Sequence, residues 1–166
     1  MTPNLIRKLA KGKAPIWVLK LMGKVWGPYL GAGIDVIDVS PDYRQIKVCL
    51  KKRWYNSNYV GTQFGGSIYA MTDPFYMLML MNNLGRDYIV WDKAASIRFR
   101  KPGKTDLYAT FELSDEEIEG IRKRLETEPK LDFEKDVIVT DASGETVAEI
   151  HKVVYVKKKD RPAAAN

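Results

Sequence analysis

The residues best equipped for chemistry stand close together: Asn58-x-x-Gly61-Thr62-x-Phe64-Gly65-Gly66, with Asp73 following. Paired glycines at a helix start let another backbone or a ligand approach closely. A helix start also leaves amide N–H groups unpaired and carries partial positive charge. Gly65 and Gly66 can therefore offer donors to a developing oxyanion, where one such donor is worth roughly 3–4 kcal/mol. Asp73 lies about two turns further on, the one acid in an apolar stretch. A charge there must be paired, solvated in a cavity, or shifted in pKa. Pro74 disfavours α geometry at Asp73 and removes a helical hydrogen bond, which can kink the helix and open a polar notch. The alternative reading is structural: a tight turn at Gly65-Gly66 and a hydrogen-bonded brace at Asp73.

Other chemistries find less support. His151, the sole histidine, sits in a late strand, and no serine or cysteine elbow accompanies it to make a triad. No Cys/His cluster suggests zinc, and no glycine-rich segment matches a dinucleotide or P-loop fingerprint. Neither a metal nor a cofactor is therefore expected. Cys49, the one cysteine, excludes an internal disulfide and suits a reducing, cytoplasmic setting. Its place in an alternating apolar run reads as a small core residue.

Helices and strands must position these groups. Residues 4 to 26 read as helical in two pieces divided near Gly12 to Pro15, and Gly27-Pro28 ends the segment. Ile34 to Val39 and Tyr43 to Leu50 alternate about a Ser40-Pro41-Asp42 turn and make a hairpin. Within the first run, either Val36 or Ile37 faces inward. The loop from Trp54 to Gly66 has no period. Ser67 to Leu84 is almost wholly apolar, as a helix buried on all sides would be, and Gly85 stops it. Tyr88 to Trp91, Ala94 to Arg100, Asp106 to Leu113, Phe133 to Thr140 and Thr146 to Val156 read as strands, the last two joined by an Asp141-Ala142-Ser143-Gly144 turn. Ser114 to Thr127 reads as a helix, with Ser114 as cap and Glu117 completing a capping box. The expected α+β architecture is an antiparallel sheet curling around one central apolar helix.

The chain has 166 residues, 45% of them hydrophobic, enough for one sizeable core. The expected organisation is an N-terminal helical segment (1–28), a main domain (29–156) with a helical excursion at 114–129, and a basic tail (157–166). The net charge of +6 admits nucleic acid, anionic lipid or an anionic ligand such as a nucleotide-bearing thioester. Nothing interleaves bases with aromatics as a nucleic-acid platform would. The longest apolar stretch is broken by Asp73 and Pro74 and falls short of the roughly 20 residues of a membrane span. Lys20 and Lys24 interrupt the apolar patch near the N-terminus, which reads as a mature helix rather than a signal peptide. Partners such as nucleic acid or a stably inserted membrane are accordingly not expected.

The loop-glycine-helix-Asp pattern resembles the hotdog-fold acyl-CoA thioesterases of the phenylacetate-pathway type, and the string GTQFGGSIYAMTDPFY resembles a poorly characterised hotdog subgroup. The resemblance spans roughly residues 29 to 156. It implies a hotdog fold and hydrolysis of an acyl-CoA thioester. It also implies a dimer or tetramer, with the site at a subunit interface. By the same resemblance the Gly65 amide is the oxyanion donor, Asp73 the nucleophile or general base, and Asn58 the amide that positions water. Asp92 falls near a position where the partner subunit supplies a polar side chain. Arg98, Arg100, Lys101 and Lys104 fall where such folds meet coenzyme A phosphates, with Gly66 at the ligand's approach; alternation puts Arg98 and Arg100 on one side of a strand. Two features depart from the pattern. Phe64 stands where many relatives have His, and the excursion at 114–129 is long. A non-catalytic acyl-CoA or fatty-acyl binding protein is the alternative function.

Overall fold

The computed structural model describes residues 15–159. The first of the two expected helical pieces lies outside them, as does most of the basic tail. From Pro15 the chain enters α1 (Ile16–Val25) and then α2 (Gly27–Ala32). The first helix ends at Val25, just before Gly27-Pro28 as expected, but the same pair also begins a second helix, because the missing N–H of Pro28 is harmless in a first turn. Gly33 closes α2 at φ 80°, and its amide donates to the carbonyls of Tyr29 and Leu30.

Strands β1 (Ile34–Val39) and β2 (Gln45–Leu50) form the expected hairpin. A bulge between Val36 and Asp38 shifts the alternation, so Val36 and Val39 are buried while Ile37 faces out. After the loop come two short helices, α3 (Gly65–Ala70) and α4 (Phe75–Leu84). The single helix expected over 67–84 is therefore broken. The residue before a proline is pushed out of α geometry, and the break falls at Met71 to Pro74.

Next follow β3 (Tyr88–Phe99), β4 (Leu107–Glu112), α5 (Asp115–Thr127), β5 (Leu131–Asp141) and β6 (Thr146–Lys158). The six strands make one sheet in the order β1-β2-β4-β5-β6-β3, and every pairing is antiparallel. The two strands expected at 88–91 and 94–100 are one strand, carried through a bulge between Asp92 and Ala94. Helix α5 begins at the predicted capping box: Ser114 Oγ accepts from the Glu117 amide, and the Glu117 carboxylate accepts from the Ser114 amide. Ile118, Ile121 and Leu125 then form its buried stripe.

The core lies between α4 and the inner face of the sheet. Phe75, Tyr76, Met79 and Leu80 of α4 are buried against strand residues that alternate inward, such as Leu107, Ala109 and Phe111 of β4. Phe111 meets Phe75 and Tyr76 at ring-centroid distances of 5.0 and 5.2 Å. This is the sheet-around-helix architecture expected from the sequence.

Candidate active site

Two clusters of candidate side chains emerge, one at the glycine loop and one at the helix break. The glycine loop is held by amide side chains. Asn56 is buried; its Nδ2 donates to the carbonyls of Ala32 and Lys51, each at 2.7 Å, and its Oδ1 accepts from the Arg53 amide. Gln63 Nε2 donates to the Leu50 and Thr105 carbonyls. Asn58, between them, accepts from the amides of Val60 (3.2 Å) and Thr62 (3.0 Å) and donates to Thr62 Oγ1 (2.8 Å). Its carboxamide thus braces the turn that contains Gly61, where φ is 78°.

Gly65 opens α3, and a Cβ there would lie 3.0 Å from the Phe99 ring. A Cβ on Gly66 would lie 2.4 Å from the Phe64 ring. A side chain at either position would have to displace an aromatic ring. Their amides belong to the first turn, where no helical carbonyl is available to them. Beside this helix start is a cleft of about 420 Å³, bordered by Asn58, Thr62, Gly65, Ile68, Arg100 and Lys101 among others.

The basic edge divides between two places. Arg100 and Lys101 reach the cleft, whereas Arg98 lies on the outer face of the sheet beside Asp136, Glu149 and His151. Arg100 is paired with Glu149, and Lys101 with Asp141 at 2.7 Å and with Glu145. The Lys101 ammonium, with Ser143, holds the Asp141 carboxyl far below the usual carboxylate range. An anion entering here must compete with those carboxylates.

At the helix break, the Asp73 side chain is 46% exposed rather than enclosed in an apolar helix. Its Oδ1 lies 3.1 Å from Nζ of Lys152, which is 1% exposed. The same ammonium lies 3.2 Å from Oδ1 of Asp92, whose side chain is 22% exposed. Asp92, expected to serve a partner subunit's site, thus meets Asp73 of its own chain through one lysine. The Tyr69 ring centroid is 5.8 Å from the ammonium, and the Tyr29 hydroxyl donates to the Asp73 main-chain carbonyl. Burial raises the Asp92 carboxyl above its ordinary value; Lys152 opposes the rise and Asp73 adds to it. Burial works against the charge on Lys152, but Asp92 and Asp73 more than offset it, and its pKa lies above that of an ordinary lysine. Burial likewise raises the Tyr29 hydroxyl, followed by the charges of Asp73 and Asp92.

Lys152 is the residue that sequence reasoning missed. The inward side chains of β6 are Ala148, Ile150, Lys152, Val154 and Val156, so period-2 alternation alone marks it as a charge on an apolar face. The neighbouring His151 points outward. Its Nδ1 is 2.7 Å from Asp136 and its Nε2 is 3.4 Å from Glu134, away from both clusters. Cys49 is a buried core residue whose thiol burial pushes up to about 11. No group of three or more metal-ligating His, Cys, Asp or Glu side chains occurs among the described residues.

The Asp92 shift has a measurable consequence. A carboxyl raised in the folded state holds its proton more tightly there than in the unfolded chain. Its favourable contribution is present below the ordinary value of 3.8 and is lost as pH rises through the folded value. Asp92→Asn removes the ionised form, leaving Lys152 with Asp73. Thermal melts should give Asp92→Asn a higher Tm than wild type at pH 7, with the gain shrinking toward pH 4. A lower Tm at pH 7 would mean that the Asp92 charge is net stabilising.

Comparison with known proteins bears on the whole assembly. A family model described as a domain of unknown function (DUF4442) matches residues 16–156. No curated protein matches the sequence. Among solved structures, a Pseudomonas aeruginosa protein of unknown function, described as a probable thioesterase, superposes with a TM-score of 0.77 at 17% identity, covering 90% of this chain and 99% of that one. A thioesterase of Haemophilus influenzae superposes with a TM-score of 0.63 at 10% identity, covering 89% of this chain and 94% of that one. At these identities the likeness is one of fold, and the fold is the hotdog.

Proposed function

This chain belongs to the DUF4442 family, and from that premise we propose that it is a thioester hydrolase whose substrate is an acyl-CoA. The observation that carries the reading is Asp73: a half-exposed carboxylate at a helix break, backed by a buried ammonium and following a glycine-opened helix. The hotdog thioesterases it resembles in fold add support.

In this reading Asp73 accepts a proton from water as the water oxygen bonds to the thioester carbonyl carbon. The Gly65 amide takes the oxyanion. Collapse of the tetrahedral intermediate breaks the carbon–sulfur bond, and the thiolate leaves with the proton held by Asp73. The products are a carboxylic acid and a thiol. If Asp73 attacks directly instead, water then hydrolyses the resulting anhydride. Asn58, on the cleft wall, acts indirectly: its carboxamide, already bonded to Thr62, Val60 and Gln63, holds the loop that presents the Gly65 amide. Arg100 and Lys101 exchange Glu149, Asp141 and Glu145 for coenzyme A phosphates, with Arg98 further out and Gly66 at the approach.

The cleft beside Gly65 is bordered by neither Asp73 nor Asp92. A site formed between two copies would join the halves. Among the described residues β3 bonds only to β6 and its other edge is unpaired, and Ile89, Trp91 and Phe99 of this strand are exposed. Such an edge favours self-association.

The test is release of free thiol from a panel of acyl-CoA thioesters of graded chain length. Turnover with at least one member is expected, with a KM that rises with salt as phosphate contacts are screened. Tight acyl-CoA binding without turnover across the panel would replace the hydrolase with a binding protein.

A further inference from the structure

Lys152 occupies a slot that its strand neighbours fill with apolar side chains, at 1% exposure. Packing does not explain it, since an apolar side chain of similar volume is often at least as stabilising as a buried ion pair. What the lysine adds is charge at a defined point. Two carboxylates share the one ammonium, at 3.1 and 3.2 Å, so with both ionised the cluster carries one excess negative charge. The two are unequal. Asp73 reaches solvent, whereas Asp92 Oδ1 is buried and finds no aligned hydrogen-bond donor among the described residues, so its attraction to the ammonium is Coulombic.

The other polar groups around the ammonium are accounted for. Tyr69 of α3 presents its ring, and Tyr29 of α2 donates to the Asp73 carbonyl. On β5, the register neighbour Lys135 is turned to Glu117 of α5. Among the described residues, the charges that face Asp73 are therefore those of Lys152 and Asp92.

Resting on the hydrolase reading, we propose that Lys152 is a positioning residue of the reaction: its ammonium faces the Asp73 carboxylate and aims it before attack, and Asp92 is the counter-charge left to it once Asp73 takes the proton of water. Lys152 forms and breaks no bond. As the proton moves from water to Asp73, the cluster passes from one excess negative charge to neutrality, and the buried ammonium stays paired throughout. A single carboxylate would leave it unpaired at that step, at high cost in a low-dielectric site.

The experiment compares wild type, Lys152→Met and the double variant Lys152→Met/Asp92→Asn. The double variant removes the ammonium together with its more enclosed carboxylate, so it leaves little uncompensated buried charge and serves if the single variant does not fold. Steady-state kinetics across pH should show kcat at neutral pH falling about 10- to 100-fold, as expected for a disturbed general base. KM should stay within about threefold, since no substrate contact is lost. The acid limb of the kcat profile should move up by about one pH unit or more in Lys152→Met, the effect of losing an opposite charge at this range, and by less in the double variant, where the like charge of Asp92 leaves as well. A folded Lys152→Met whose acid limb stays in place, or a folded double variant whose kcat does not fall, would overturn the proposal and leave Lys152 a structural ion. Carboxyl carbon NMR of Asp92 gives a readout independent of turnover: its titration should move to higher pH in Lys152→Met. If wild type turns over no thioester, the hydrolase reading falls, and the Asp92 titration still decides whether Lys152 governs the carboxylate pair. An unmoved titration would overturn that control.

Discussion

Asp73→Asn should lose roughly 10³-fold in kcat with the best thioester, within the 10²–10⁴ range of a positioned general base. That corresponds to about 4 kcal/mol of transition-state stabilisation. The substitution keeps the size of the side chain and removes its ability to hold a proton or attack carbon. Folding should survive, because Asp73 is half exposed and Lys152 retains Asp92 as a partner. The expected signature is therefore a large fall in kcat, a KM within a few-fold, and a Tm within a few degrees of wild type. Thiol release and thermal melts on one preparation give all three. Near-full activity in Asp73→Asn would remove Asp73 from the chemistry and return it to the role of a brace at the helix break.

The largest effect on stability should come from Phe111→Ala. Phe111 is fully buried on the inner face of β4, between Phe75 and Tyr76 of α4. Truncation removes the ring and leaves a cavity that rigid strand and helix backbones close only partly, at a cost of about 3–5 kcal/mol. For a domain of this size that is a fall of roughly 6–20 °C in Tm. Thr110→Ala is the matched control: it is the adjacent residue, points outward, and should cost about 0.5 kcal/mol or less. Equal losses in the two variants would contradict the assignment of the inner face.

Much of the fold was legible because its signals are local. The β1–β2 hairpin follows from alternation on either side of Ser40-Pro41-Asp42, and the β5–β6 turn from Asp141 to Gly144, where Gly144 adopts φ 85°. The start of α5 follows from Ser114 and Glu117, which satisfy each other's neighbouring amides whatever the rest of the chain does. Burial of α4 follows from its composition. Where the reading went astray, a local signal had two outcomes. Pro28 is compatible with ending a helix or starting one. Pro74 could bend the apolar helix or break it, and the chain breaks between Ala70 and Phe75.

The site divides along the same line. By itself the sequence determined the candidates: a glycine-opened helix, an acid ahead of a proline in an apolar run, and a basic edge. It also held the inward lysine, since alternation along β6 places Lys152 among Ala148, Ile150, Val154 and Val156. Only the tertiary structure decided which of these groups meet. Lys152 and Asp73 are 79 residues apart, and their contact depends on β6 lying beneath the α3–α4 break. Asp92 joins them because the bulge between Asp92 and Ala94 changes the phase of β3. Under strict alternation Asp92 and Ala95 would face opposite sides of the sheet; with one extra residue both face inward, Ala95 opposite Lys152. Alternation is a property of one strand and can be read along it. Register and bulges are properties of pairs of strands, set by the packing of the whole sheet, and they gave the buried ammonium its two carboxylates.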